Sequence, residues 1–302
     1  MTRPDRDLRD ALGTAFGIDA DSVTPILDAG DECLLWHIAT PRSLVARAAP
    51  AWRSAAELRW AYAVAAALAG YVPEVVGPVS PIIGRWRGRP LTLWPYVPGR
   101  QLDRARPDDQ LAAADLLARL HQATIAIGSP GHRPPSEPGA PAHRPPPVDR
   151  GGIVDPDLDA TLARWRFGAG REAPRGAVHG DFYPRNIHVH DGPLGDGGLA
   201  LLDWDDARVD VLGAEVAWAA WEFSHDGDAL DTSRVATFLD AYRRAGGPGY
   251  DPEMIVPWIR ERLRWEIERN RAATVAGDYH DADYEAMEVA AFAKLRGVVL
   301  VA

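Results

Sequence analysis

The sequence predicts an α+β protein of two lobes, a small antiparallel β lobe with one helix followed by a larger, mostly helical lobe. Three observations predict it. Short β-like runs, separated by Gly30 and Pro41, crowd the first hundred positions. Beyond them, apolar residues recur at helical spacing through most of the chain. Between the two kinds of pattern runs a linking strand, which places the division near residue 98: residues 1–98 form one lobe and 99–302 the other.

The elements follow in order. Residues 23–27, 34–39 and 44–48 read as strands. Residues 54–68 read as a helix, with Ser54 as N-cap and Gly70 as stop. Strand candidates follow at 81–86 and 91–96. Residues 107–127 form a helix, because Leu111, Ala114, Leu117, Ala118 and His121 share one face. Residues 129–150 hold eight prolines among twenty-two positions. That density excludes a helix interior or a central strand, so the segment is a surface loop or insertion, or alternatively an extended ligand for a partner domain. Further on, 156–165 is a helix candidate, and 187–189 and 199–202 are short strands. Helices are expected at 211–223, 232–245, 257–273 and 282–295, the third opening on Pro257, whose missing N–H costs nothing at a first helical position.

Composition bounds the function. The chain has 302 residues, enough to bury about three quarters of its unfolded surface. With 46% hydrophobic and 25% charged residues it is neither disordered, collagenous nor a coiled coil. A net charge of -10 disfavours non-specific nucleic-acid binding, which needs a basic face. One cysteine, Cys33, excludes an internal disulfide and a cysteine-based zinc site. No signal peptide is visible, and the longest apolar run, 61–72, is too short for a bilayer. A cytoplasmic protein without a membrane partner is therefore expected; oligomeric state is not legible. Lys294 is the only lysine, so nearly all positive charge is arginine.

The strongest chemical signal is His179-Gly180-Asp181-Phe182-Tyr183-Pro184-Arg185-Asn186, followed by Leu202-Asp203-Trp204-Asp205-Asp206. An acid and an amide lie five apart in an irregular loop, and a second acid ends a strand. A divalent cation with hard oxygen ligands favours such groups, which leaves Asp181 as a base. Together these residues resemble the aminoglycoside phosphotransferase family of small-molecule kinases, relatives of protein kinases, and the resemblance runs from about Val23 to Gly247. It implies a protein-kinase-like fold, ATP or GTP as phosphoryl donor and a small-molecule hydroxyl as acceptor. Asp181 would accept or orient the acceptor's proton, and Asn186 and Asp203 would hold Mg²⁺. His179 would hold the loop through backbone hydrogen bonds. Asp205, Asp206 and Asp210 would bind metal, anchor the loop or simply face solvent.

The same resemblance assigns the first lobe. Arg47 stands where a lysine normally meets the α- and β-phosphates; it keeps its charge and can bind phosphate through two N–H groups. Glu57 would pair with Arg47, or serve as capping-box partner in Ser54-Ala55-Ala56-Glu57. The nucleotide loop, Asp28-Ala29-Gly30-Asp31-Glu32, departs from the family pattern with one glycine, Gly30, between acids. Arg185 would add positive charge near the γ-phosphate, or be a surface charge. Residues 91–99 look like the hinge, with the backbone between Trp94 and Tyr96 reading the purine and Leu93 or Trp94 packing on it. His121 reads as a satisfied core histidine. For the acceptor, Trp218, Glu222, Glu261 and Glu266 form aromatic–acid stripes suited to a polyamine or amino sugar, or alternatively tryptophans in the core with acids facing water. Two other functions remain open at this point: a nucleotide-binding pseudokinase, and a metal-dependent hydrolase using His179, Asp181 and Asp203 with His188 and His190.

Overall fold

A computed structural model describes residues 6–19, 22–26, 33–136, 153–190, 198–276 and 281–300. The chain forms two compact units. The first comprises Met1–Arg100, Gly131–Ala140 and His188–Asp206; the second comprises Gln101–Pro130, Pro141–Ile187 and Ala207–Ala302. Residues 188–206 join the first unit because Leu201 donates to Glu74 O at 2.7 Å and accepts from the Val76 N–H at 3.0 Å.

The chain opens with a helix the sequence reading did not anticipate, α1 (Arg6–Phe16), then β1 (Val23–Ile26), β2 (Leu34–Ile38) and β3 (Leu44–Ala48). Next come α2 (Ala55–Ala69), β4 (Gly84–Trp86) and β5 (Arg89–Pro95). The five strands form one antiparallel sheet in the order β1-β2-β3-β5-β4. Its register sorts the side chains. Trp36 and Leu93 both lie opposite Ala46, and Leu91 lies opposite Ala48. These residues share a face, which packs with Leu8 and Leu12 of α1. Thr92 lies opposite Arg47 and Trp94 opposite Val45 on the other face, where Trp94 meets Tyr62 of α2 edge-on at 5.0 Å. Without α1 the first face would be wet. The sequence signal for α1 was weak, because only Leu8, Ala11, Leu12 and Phe16 stand out in a charged stretch.

The chain continues through β6 (Arg100–Gln101), α3 (Pro107–Ile127), α4 (Pro156–Phe167) and β7 (Arg175–Val178). Then come β8 (Ile187–His190), β9 (Gly198–Leu201), β10 (Arg208–Val211) and α5 (Leu212–Glu222). The last elements are β11 (His225–Asp226), β12 (Ala229–Leu230), α6 (Thr232–Arg244), α7 (Ile255–Ala276) and α8 (Ala282–Lys294). In the second unit α3 packs on α6, and α5 and α8 pack on α7. β7 and β10 pair antiparallel, with Arg208 opposite Val178. Neither strand was anticipated from the sequence. α7 starts two residues earlier than expected, after a 3₁₀ turn at Pro252–Met254, so Pro257 sits within its first turn, where an N–H still lacks an intrahelical acceptor. Among the described residues no helix is long and apolar enough to cross a membrane. Most of the proline-rich segment, 137–150, lies outside the described residues, as does Gly30.

Leu12 is fully buried under the sheet. Leu12→Ala is expected to lower stability by about 2–5 kcal/mol, read as a shift in the urea midpoint at unchanged m-value.

Candidate active site

The loop after β7 is built around its own hydrogen bonds. His179 is fully buried, and its Nδ1 accepts from the Asp181 N–H at 3.3 Å, the loop-holding role its sequence position suggested. Pro184–Asn186 form a single 3₁₀ turn that brings Asn186 back toward Asp181. The Asn186 Nδ2 donates to both Asp181 O and Asp181 Oδ2, each at 2.9 Å. Both amide donors face one carboxylate residue, so Oδ1 is the atom of Asn186 left for a cation.

Gly180 has φ 86°, a conformation that favours glycine. Its N–H donates to Glu215 Oε1 at 2.6 Å, and its carbonyl accepts from Arg208 Nη1 at 3.2 Å. Behind it runs a buried chain: Glu215 Oε2 lies 2.9 Å from His121 Nε2, and His121 Nδ1 lies 2.8 Å from the Tyr242 hydroxyl. A carboxylate only accepts, so Nε2 donates and Nδ1 accepts from Tyr242. His121 is thus the satisfied core histidine expected. Burial opposes the charge of Glu215, but the His121 hydrogen bond, the nearby imidazoles of His121 and His179 and the Gly180 N–H outweigh it and hold its carboxyl below the usual range. Glu215 was missed in the sequence; nothing in a helix start distinguishes it from a surface acid.

The second acid group lies wholly in the first unit. Asp203 follows β9 with φ 59°, a left-handed conformation that aspartate tolerates better than most residues. Arg47 Nη2 reaches Asp203 Oδ1 at 2.6 Å, and its Nη1 reaches Asp205 Oδ1 at 2.5 Å. The Tyr62 hydroxyl donates to Asp205 Oδ1 at 2.9 Å. Asp203 keeps a 39% exposed side chain, whereas Asp205 is buried. The expected partnership of Arg47 with Glu57 is corrected here. Glu57 is fully buried against Arg53 at 3.0 Å and against Arg133, and it closes the capping box with Ser54. Arg53 Nη2 also holds Asp206 at 2.5 Å. Asp205 and Asp206 are therefore loop anchors. Arg53 was missed because it precedes the cap, where an arginine looks like a solvated charge.

The hinge residues divide. Leu93 belongs to the α1 face of the sheet and its carbonyl accepts from Val79, so its side chain lies on the face opposite Arg47. Packing of Leu93 against a base is corrected on that ground. Trp94 lies on the Arg47 face, with Nε1 bonded to Thr92 Oγ1 at 2.9 Å. Tyr96 is 42% exposed, and its N–H is committed to Ser43 O. Gly99, at φ 138°, crosses Val189 so closely that a Cβ would fall 2.1 Å from the Val189 carbonyl. Arg185 is exposed.

The acid stripe of α5 and α7 is also split. Glu261 is held by Arg264 and lies 4.0 Å from Arg166, apart from the others. Trp218 is buried, and Arg262 lies over its ring at 5.2 Å while pairing with Glu266 at 2.6 Å. Burial pushes the Glu222 carboxyl up to about 7, and the charge of Glu266 adds to burial against an opposing Arg104. Burial, with Glu266 and Glu222 nearby, likewise pushes Glu288 of α8 up to about 9. The fully buried Glu288 has no partner at Oε1 among the described residues. Among those residues no group of three or more His, Cys, Asp or Glu could hold a metal ion.

An acid clamped by an amide on a loop, and a partly exposed acid fixed by arginine at a strand end, have the chemistry to accept a proton and to offer hard oxygen ligands. The family model of the phosphotransferase enzyme family (APH) matches residues 34–255. The chain belongs to that family, and its fold is protein-kinase-like. A homoserine kinase of Methylobacillus flagellatus is 30% identical over 167 residues, covering 53% of this chain and 50% of that protein. One of Beijerinckia indica subsp. indica is 30% identical over 154 residues, 48% and 46% of the two chains. The chain thus spans about half the length of these curated relatives. Among solved structures, amicoumacin kinase hAmiN, in complex with AMP-PNP, Ca²⁺ and Ami, superposes with TM-score 0.65 at 16% identity, covering 97% of this chain and 93% of that one. A choline/ethanolamine kinase family protein from Mesorhizobium loti gives 0.61 at 15%, covering 96% and 92%. At such identities the likeness is one of fold.

Two outcomes follow from this geometry. Glu215→Ala leaves the Gly180 N–H and the inner histidine without their acceptor; a loss on the order of 1–3 kcal/mol per orphaned donor is expected in thermal or denaturant unfolding. Glu222 and Glu288 retain a proton in the fold where the unfolded chain, at an ordinary 4.5, has released it. The folded state then binds more protons between about pH 4.5 and 9, so these two groups make stability fall as pH rises through that window. Glu288→Gln should flatten its upper part, measured as melting temperature against pH.

Proposed function

We propose that this protein is a small-molecule kinase that transfers the γ-phosphoryl group of ATP or GTP to a hydroxyl. The observation that carries the proposal is the Asp181–Asn186 clamp. Its two hydrogen bonds fix a carboxylate at the end of a glycine turn whose own N–H and carbonyl are both engaged. A base held in one place by the fold is worth ~10²–10⁴ in rate. Asp181 takes or orients the acceptor's proton. Asn186 through Oδ1, and Asp203 through its exposed carboxylate, are the hard oxygen donors that would hold Mg²⁺, which when bound neutralises charge on the β- and γ-phosphates. Arg47 stays charged and supplies guanidinium N–H groups beside Asp203. Trp94 and Tyr96 border the purine, and Gly30 belongs to the nucleotide loop.

The acceptor proposed is an alcohol that carries an ammonium group. Homoserine, choline and ethanolamine, the compounds in the relatives' names, all pair a hydroxyl with an ammonium group, homoserine with a carboxylate besides. Glu222 and Glu266, with the Trp218 ring near Arg262, are the groups proposed to meet it; Glu266 and Glu261 are both already paired with arginine.

A nucleotide-binding pseudokinase is the second reading. It is favoured by one observation: the guanidinium of Arg47 is already held by two carboxylates. A screen of homoserine, ethanolamine, choline and aminoglycosides with Mg²⁺ and ATP or GTP, reading nucleoside diphosphate release, separates the two. Asp181→Asn is expected to cut release by ~10²–10⁴ while nucleotide affinity is retained. Nucleotide binding with no acceptor-dependent release from the wild-type chain would leave the pseudokinase.

A further inference from the structure

The proline-rich segment found no role above, yet its first residues dock on the loop that carries Asp203. We infer that Arg133 is a positioning residue for that loop, acting through the Asp205 carbonyl and Glu57. The inference rests on the reading of Asp203 as a metal-holding acid.

The Arg133 side chain is nearly buried where the residues before it are not. Gly131 and His132 are exposed, whereas the Arg133 side chain is only 10% exposed. Burying a guanidinium costs free energy unless its partners are in place. Here Nη2 meets Glu57 Oε1, on a fully buried residue, and donates to Asp205 O at 2.8 Å.

Two arginines converge on the loop. Arg53 Nη1 donates to the same Asp205 carbonyl at 3.0 Å and to the same Glu57 oxygen at 3.0 Å. Two charge-assisted hydrogen bonds thus hold one backbone oxygen two residues after Asp203, whose own φ lies in the left-handed region.

The docking also extends along the segment. Ser136 Oγ donates to Glu57 Oε2 at 2.8 Å, and Ser54 Oγ donates to Pro135 O at 2.9 Å. Pro134 and Pro135 restrict the chain before it docks, so less entropy is lost on ordering.

Four acids, Glu57, Asp203, Asp205 and Asp206, face three guanidinium groups, Arg47, Arg53 and Arg133, in this network. Removing Arg133 leaves Arg53 alone to meet both Glu57 and the Asp205 carbonyl. The loop then loses one of its two backbone anchors, and the Asp203 carboxylate its fixed direction.

The test uses the full chain and measures ADP and ATP affinity by calorimetry, with and without Mg²⁺, for wild type, Arg133→Met and Arg133→Lys. The expected result is a loss of about 10–100-fold in the Mg²⁺-dependent gain in affinity for Arg133→Met, the size usual for residues that orient metal ligands. Affinity without metal should stay unchanged, and Arg133→Lys should recover part of the gain. An Arg133→Met protein with the wild-type Mg²⁺ gain overturns the inference alone. An equal loss with and without metal also overturns it, since that marks a general loss of structure. If Arg133→Met does not fold, Ser136→Ala carries the same comparison: a smaller loss of the Mg²⁺ gain supports the inference, and no loss overturns it. A wild-type chain with no Mg²⁺-dependent nucleotide binding overturns the kinase reading, and this inference with it.

Discussion

Buried carboxylates in the first unit survive only because guanidinium groups meet them. Glu57 and Asp205 are almost inaccessible to water, and an unpaired charge at either place would be expelled or protonated. Arg47, Arg53 and Arg133 meet those charges by geometry, Arg47 and Arg133 each reaching two acidic or carbonyl oxygens and Arg53 three. The end of β9, the start of α2 and the first turn of the proline-rich segment are thereby tied into one polar cluster. The sheet above it could have been built many ways. The position of Asp203 depends on this cluster.

The second unit treats its acids differently. Glu215 is buried yet held ionised by a histidine and a backbone N–H, and it stiffens the turn before Asp181. Glu222 and Glu288 have too few donors, and burial drives them toward the neutral form. The contrast is one of hydrogen-bond supply: two carboxylates at similar depth differ in charge because one faces donors and the other faces acids.

Much of this was legible in the sequence. β3, α3 and the Ser54 cap were readable because local signals and burial agree there: alternation, helical spacing and a capping box each act within a few residues. The loop from His179 to Asn186 and the strand end at Asp203 were readable by resemblance. α1 escaped because its partner face is made by residues up to eighty positions away. β7 and β10 escaped as well, although β8 and β9 of the same length were read. The ion pairs were the hardest. Glu57 has an obvious local role as capping-box partner, and nothing local says that its cations come from positions 53 and 133 and not 47. Leu93 and Trp94 looked interchangeable as neighbours in a hinge; a strand's alternation, fixed only by pairing with β3, sends them to opposite faces.

Arginine at position 47 has a practical corollary for chemical biology. Reagents that mark nucleotide pockets by acylating or sulfonylating a lysine amine have no such group to attack there. The chain's one lysine, Lys294, sits at the end of α8, more than half exposed and paired with Asp228 at 2.6 Å. Covalent profiling aimed at lysine amines would therefore label this protein on α8, whereas dicarbonyl reagents selective for guanidines would be the suitable probes for position 47.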